Sequence, residues 1–210
     1  MSCVLVVGAG GHGKVVADAI MEIGRWEHVA FVDDGIPAGS KVLGCPVVGS
    51  VGQLNDLRAD YRECVIAIGD NGRRWQLMQM ALKAGFDMPA IIHPHAQISL
   101  SASIGAGTVV MAGAVIQAES RLGLGVIVNT SASVDHDCEV DDATHICPGV
   151  HLGGGVRIGR KCWIGIGSTV REGVQIGANA VIGAAAGVLN DIPGGVTAVG
   201  LPARVRPARG

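Results

Sequence analysis

A chain of 210 residues with 33 glycines, 49% hydrophobic residues and only 3% aromatics has length enough for a buried core but little of the bulk that usually fills one. Proline is not raised alongside glycine, which excludes collagen and disordered linker, and a net charge of −2 with scattered signs leaves no footprint for nucleic acid or an anionic membrane. Six cysteines (Cys3, Cys45, Cys64, Cys138, Cys147, Cys162) form no CxxC pair, so they read as small buried residues in a reducing cytoplasm, not as disulfides or zinc ligands. The opening residues lack a basic n-region, and no apolar run is long enough to span a bilayer. A cytoplasmic protein without membrane insertion is expected.

Residues 3–8 form a continuous apolar run, the pattern of a buried parallel strand. The run ends in Gly8-Ala9-Gly10-Gly11-His12-Gly13-Lys14, and a helical pattern follows over 15–20. A second strand is predicted over 28–33, ending in Asp33-Asp34-Gly35. A third, over 64–69, ends in Asp70-Asn71-Gly72 and leads into a helix to about residue 84. Strand and helix in alternation predict a Rossmann-like α/β domain over 1–92, with ligands at the carboxyl ends of its strands. Gly8-x-Gly10-x-x-Gly13 matches the dinucleotide fingerprint, and Asp33 lies twenty residues beyond Gly13, where a ribose-binding acid is expected. Only one mononucleotide half precedes the next domain. A nucleotide with a single diphosphate therefore fits better than NAD. The alternative for this stretch is a plain strand-to-helix turn.

From Ile98 through Ile104, Val110, Ile116 and Leu122 to Val188, an aliphatic residue recurs every six positions, sixteen times without a missed register. That period predicts a parallel β-helix over 97–195, about five coils of three hexapeptides, roughly 25 Å long at one strand spacing per coil. Four positions after each aliphatic stands a smaller residue such as Thr108, Ser120, Cys138, Thr144 or Cys162, expected to pack inside where walls converge. Glycine often follows the aliphatic. Ile192-Pro193-Gly194-Gly195 should end the register, leaving a tail over 196–210 that folds along the outside. Trp163 should face out and mark an interface, and Asp141-Asp142 reads as a solvated corner.

The phased hexapeptides and the closing Gly200-Leu201-Pro202-Ala203-Arg204 resemble the left-handed β-helix acyltransferases. The Gly10 to Asp18 segment, Phe31-Val32-Asp33-Asp34, Ile66-Ala67-Ile68-Gly69-Asp70-Asn71, Asn129-Thr130-Ser131 and Val134-Asp135-His136-Asp137-Cys138 resemble a narrower group. That group comprises bacterial sugar acetyltransferases acting on UDP-4-amino sugars (bacillosamine pathway) and GDP-perosamine, with sialic acid O-acetyltransferase-like proteins. The resemblance implies acetyl-CoA as co-substrate, a nucleotide amino sugar as acceptor and a homotrimer with sites between protomers. It assigns His136 as general base with Asp137 raising its basicity. It matches His145 and the backbone near Gly154, Ile166 and Ala184 to acetyl-CoA, and Gly11, His12, Gly13, Asp33, Asp34 and Arg73 (or Arg74) to the nucleotide sugar.

Acyl transfer from a thioester needs a neutral amine, and an imidazole oriented by a carboxylate is suited to take its proton. A backbone N–H or His145 could serve the oxyanion. No Cys or Ser stands in a triad-like pattern, which favours direct transfer. Rival readings are O-acetylation of a sugar hydroxyl, a non-catalytic nucleotide-binding module, and a zinc hydratase using His136, His145 and His151. No metal is expected.

Overall fold

The computed structural model describes residues 2–206, whose contacts divide the chain into two units, Met1–Pro94 and His95–Gly210. In the first, β1 (Cys3–Val7), α1 (Gly11–Ile23), β2 (His28–Val32), β3 (Lys41–Val42), β4 (Cys45–Gly49), α2 (Leu54–Leu57), β5 (Glu63–Ile66) and α3 (Asn71–Lys83) follow in order. They build one sheet of order β3-β4-β2-β1-β5, in which β1 pairs in parallel with both β2 and β5. Val4, Leu5, Val6 and Val7 are completely buried, as a central strand covered on both faces requires. β1 has β2 on one side, reached through α1 from its own carboxyl end, and β5 on the other, reached later in the chain, so the switch point of the sheet lies at Gly8. The α/β pattern read from the sequence is present. The β3–β4 hairpin is an addition to it, two and five residues long and antiparallel at the sheet edge, with Pro46 of β4 opposite Lys41 of the edge strand β3.

In the second unit, strands of two residues recur every six positions from Gln97–Ile98 to Gly187–Val188. Each pairs in parallel with the strand 18 residues on: Val115 lies opposite Ser133, Ser133 opposite His151, and His145 opposite Trp163. The result is a parallel β-helix of three sheets. Its aliphatics point inward, with Ile116, Val134, Ile146, Leu152, Ile158 and Ile164 no more than 2% exposed. The smaller residues four positions on are also buried, and their polar atoms serve the next coil. Thr144 Oγ1 donates to Gly159 O at 2.9 Å and accepts from Cys162 N at 3.0 Å. Satisfied in this way, a hydroxyl can stand in an apolar interior.

Every corner uses the same device. From Gly107 to Ala185 each sixth residue has a positive φ, between 53° and 71°, half of them glycines and the others including Glu119, Asp137 and Asn179. The glycines directly after the aliphatics obey a different constraint. A Cβ on Gly165 would stand 2.5 Å from Ile182 O and 2.8 Å from Ala184 N, atoms of the next coil's backbone. Asp142 is more than a solvated corner residue, since its Oδ1 accepts from Leu124 N at 2.7 Å and ties two coils together.

The coil runs past Gly195. Thr197–Val199 pairs in parallel with Val181–Ile182, and Arg204–Val205 then adds in antiparallel fashion. A tail lying loose along the outside would leave that edge open, whereas a reversed strand closes it. Residues 207–210 of the expected tail lie outside the described residues.

The two kinds of glycine predict different costs. Gly165→Ala meets backbone that cannot yield and should destabilise by roughly 2–4 kcal/mol. Gly167→Ala, at φ 66° with open space around it, should lose only about 1 kcal/mol from the left-handed backbone. Urea unfolding of the two variants checks the order.

Candidate active site

The β-helix corner after Ser133–Val134 carries the first constellation. His136 is the second residue beyond the inward Val134, and Asp137, at φ 59°, occupies the left-handed position. The sharp corner lets these sequence neighbours turn toward each other. His136 Nδ1 lies 2.7 Å from Asp137 Oδ2, and Asp135 Oδ1 accepts from His136 N at 2.8 Å to brace the turn. Both dyad side chains are more than 60% exposed, at 62% and 64%. The Asp137 hydrogen bond and then the Asp135 charge raise the imidazole above its ordinary pKa. With Nδ1 engaged by Asp137, Nε2 is the nitrogen left without that partner.

Beneath it, one coil further on, stands Gly154. A Cβ there would come within 2.5 Å of both Cε1 and Nε2 of His136, so the imidazole occupies space that any side chain would take. Gly155 N also donates to His136 O at 2.8 Å. The glycine expected near acetyl-CoA is also the seat of the His136 imidazole.

His145 belongs to another sheet. It is 5% exposed, packs edge-on against Trp163 with ring centroids 4.6 Å apart, and its Nε2 lies 3.1 Å from Asn129 Nδ2. Trp163 is 38% exposed, in line with its outward expectation. Ile166 and Ala184 stack at the corner that follows this sheet, Ala185 N donating to Ile166 O at 2.8 Å. The structure thus brings His136, Asp137 and Gly154 together at one corner, and stacks Ile166 and Ala184 at another, with His145 on the sheet that leads into it. A pair that sequence reasoning missed lies on the sheet between: Ser133 Oγ and His151 Nδ1 are 2.8 Å apart. Their 18-residue separation, one full coil, was the available signal.

His136, His145 and His151 each face a different partner, and among the described residues no three His, Cys, Asp or Glu side chains converge as a metal site would need. A groove of about 810 Å³ runs along the charged outer face bearing Arg121, Glu139, Arg157 and Gln175, but neither dyad residue nor His145 lines it. Cys147 and Cys162 are buried thiols pushed up to about 12 and about 11 by desolvation, so neither offers a thiolate.

The second constellation lies in the α/β unit. Gly13 is obligatory, because a Cβ would stand 2.0 Å from Gly8 O, and Gly8 itself has φ 103°. A Cβ on Gly10 or Gly11 would meet nothing within 4 Å, so their missing side chains leave open space above the turn. α1 begins there with no side-chain cap and no acidic residue in its first turn, whereas Asp70 caps α3 by accepting from Arg73 N at 2.6 Å. An uncapped helix start is suited to an anion. Asp33 takes on scaffold duty: it accepts from Ala9 N at 2.8 Å, Gly35 N at 2.8 Å and Ile36 N at 3.1 Å, pinning the glycine turn to the end of β2. Asp34 accepts from Val51 N at 2.9 Å and stands 3.7 Å from the exposed Arg73 guanidinium. Burial, with the Arg74 charge second, pushes His12 down to about 4, so it is neutral at pH 7.

A small Rossmann-like α/β unit in one chain with a parallel β-helix of hexapeptide repeats places the chain in the hexapeptide-repeat class. Known proteins point the same way. The model described as the PglD N-terminal domain matches residues 3–81, and that of the bacterial transferase hexapeptide (six repeats) matches 155–190. The acetyltransferase domain of PglB from Neisseria gonorrhoeae FA1090, in complex with acetyl coenzyme A, is 45% identical with a TM-score of 0.94, covering 98% of this chain and 99% of that one. PerB from Caulobacter crescentus, in complex with CoA and GDP-perosamine, is 41% identical with a TM-score of 0.94, covering 99% and 98%. UDP-N-acetylbacillosamine N-acetyltransferase of Bacillus subtilis (strain 168) is 38% identical over 114 residues, 53% of this chain and 52% of the relative, so the match spans about half that relative's length. The chain belongs to the family of hexapeptide-repeat sugar acetyltransferases with a PglD-type N-terminal domain.

Gly154→Ala tests the seat of the imidazole. The clash falls on the far end of a flexible side chain, so stability should change by less than about 1 kcal/mol. The displaced imidazole should leave Asp137, its pKa by NMR should fall toward the ordinary histidine value, and turnover should drop by about tenfold.

Proposed function

We propose that this protein transfers acetyl from acetyl-CoA to the amino group of a nucleotide-linked 4-amino-deoxy sugar, carrying UDP or GDP, by direct general-base-assisted attack. The His136–Asp137 dyad carries the reading: an exposed imidazole made more basic by a hydrogen-bonded carboxylate, seated over a glycine that leaves it room. The substrate class rests on the relatives, one named for acetylating a UDP-linked bacillosamine and another held with GDP-perosamine and CoA. The residues suit acetyl-CoA as well. Ile166 is 57% exposed at its corner with Ala184 stacked one coil on, a small apolar ledge for an acyl-pantetheine arm, and His145 stands one coil before, on the same sheet as Trp163. Gly11, Gly13, His12, Asp34 and Arg73 frame the nucleotide end, with Asp33 holding the turn.

His136 Nε2 takes the amine proton as nitrogen bonds to the thioester carbon, and Asp137 stabilises the imidazolium. His145 or a backbone N–H donates to the oxygen that becomes negative. As the carbon–sulfur bond breaks, His136 passes the proton to the departing sulfur, and the base is restored. The buried, high-pKa thiols favour this direct route over an acyl-enzyme. No helix among the described residues is long and apolar enough to cross a membrane, and the proposed setting is cytoplasmic glycan biosynthesis.

His136→Asn should lower turnover about a hundredfold or more while acetyl-CoA binding persists. Because His136 must be neutral to act and its pKa is raised, wild-type kcat/KM should climb with pH through a midpoint above the ordinary histidine value. Asp137→Asn removes the largest cause, so that midpoint should move to lower pH with a reduced plateau. Ser133→Ala should keep most of kcat. An unchanged profile in Asp137→Asn, or full activity in His136→Asn, removes the dyad from the mechanism. Faster acetylation of a hydroxyl-only nucleotide sugar than of the amino sugar would favour O-acetylation.

The same reading makes the working unit a homotrimer with sites shared between chains. His136 and His145 are nine residues apart, half of an 18-residue coil, on a corner and on a different sheet. Serving one reaction, they are best supplied by neighbouring copies in a closed threefold arrangement. If each single variant is severely impaired, mixing His136→Asn chains with His145→Ala chains should then restore part of the activity. No recovery after verified subunit exchange, or a fully active monomer in sedimentation, refutes the shared site.

A further inference from the structure

The first turn of α3 holds a side chain that the chemistry above does not use. Arg74 is 1% exposed, the bulkiest of the fully buried side chains. Two rules oppose it there. Burying a guanidinium removes a charge from water, and a cation in a helix's first turn faces the positive end of the dipole. The loop before α3 offsets this with neutral acceptors. Nη1 donates to Ile68 O at 2.9 Å and Gly69 O at 3.0 Å, and Nη2 to Asn71 Oδ1 at 2.7 Å. Burial pulls the guanidinium down to about 10 while Asp70 partly opposes the shift, so the charge persists at neutral pH.

Those acceptors flank the glycine turn. Ala67 N donates to Val7 O at 2.8 Å, and Ile68 lies so close to Gly8 that a Cβ there would meet it at 2.6 Å. His12, near enough to Arg74 for that charge to lower its pKa further, is neutral, so of the two only Arg74 is charged. The uncapped start of α1 and the open space above Gly10 and Gly11 lie at the same end of the sheet, its switch point.

We infer that Arg74 is a positioning residue for the nucleotide diphosphate: it clamps residues 68–71 beside the glycine turn and sets a fixed positive charge beneath it, attracting the diphosphate without touching it. The inference rests on reading this unit as the nucleotide-binding part. Arginine suits the place because its planar fork reaches three acceptors at once, which lets the charge remain buried.

Calorimetry on the full chain with UDP, GDP, UMP, GMP and NAD, with acetyl-CoA binding and thermal unfolding as controls, tests it. Wild type should bind UDP or GDP more tightly than NAD. Arg74→Gln should weaken the diphosphate by about tenfold or more and the monophosphate clearly less, with acetyl-CoA binding unchanged. Arg74→Lys, which keeps a cation but not the three-acceptor fork, should fall between wild type and Arg74→Gln. Wild-type diphosphate affinity in Arg74→Gln, equal losses in the Gln and Lys variants, or equal losses for mono- and diphosphate overturn the inference. If Arg74→Gln does not fold, the Lys variant decides: an unchanged diphosphate affinity, or an equal loss for mono- and diphosphate, overturns it. A wild type that binds NAD most tightly, or no nucleotide, overturns the nucleotide reading itself and this inference with it.

Discussion

The corner of the β-helix is the constraint on which the rest depends. A coil of three six-residue sides closes only if the chain turns sharply three times per circuit, and here each turn is made by one residue at positive φ. Most corners give that position to glycine, or to a residue whose side chain simply faces water. At Asp137 it carries a carboxylate, and the left-handed backbone brings that carboxylate to 2.7 Å from its own predecessor, His136. The dyad is thus a product of the fold's mandatory turn, needing no loop, insertion or long-range contact. The same stacking sets the glycine beneath it, since position 154 is position 136 one coil later. A residue with a side chain would satisfy the β-helix at Gly154 but would evict the imidazole.

The α/β unit solves a different problem, the disposal of backbone N–H groups at a strand-to-helix turn. The fingerprint glycines divide by cause. Gly8 and Gly13 are imposed by the backbone's close approach, while Gly10 and Gly11 leave room that the fold itself does not fill. The carboxylate that the spacing assigns to a ribose is already engaged by three backbone donors, so its first consequence is the shape of the turn. A helix start left uncapped, beside one that is capped by Asp70, distinguishes the end suited to an anion from the end that is merely structural.

The period made the β-helix legible because inward packing demands an aliphatic at one position in six, and nothing interrupts the phase between Ile98 and Val188. The central strands were legible for a similar reason, burial on both faces. The β3–β4 hairpin was not, because a two-residue strand such as Lys41–Val42 is too short to show any alternation. Contacts across coils were the other blind spot. Ser133 with His151, and His136 over Gly154, are neighbours only through a register of 18, which the hexapeptide count supplies but which propensity along the chain does not. Arg74 was named only as the alternative to Arg73, and its burial was not legible, because it rests on the carbonyl acceptors of the preceding loop.

Depth within the prism then decides which groups can do chemistry. The small interior positions hold Cys138, Cys162 and Thr144, all fully buried, where desolvation raises the thiols and the hydroxyl is committed to the next coil. Nucleophiles placed there cannot be ionised or reached. The corner at Asp135–Asp137 meets the opposite condition: dyad side chains more than 60% exposed, a backbone fixed by ladders above and below, and carboxylates on either side of His136. An imidazole held there keeps a rigid frame while its pKa answers to those carboxylates more than to burial, as the causes of the His136 shift indicate. The β-helix therefore separates packing from access by direction alone. Inward positions close the core, and outward positions at the turns keep their side chains within reach of solvent.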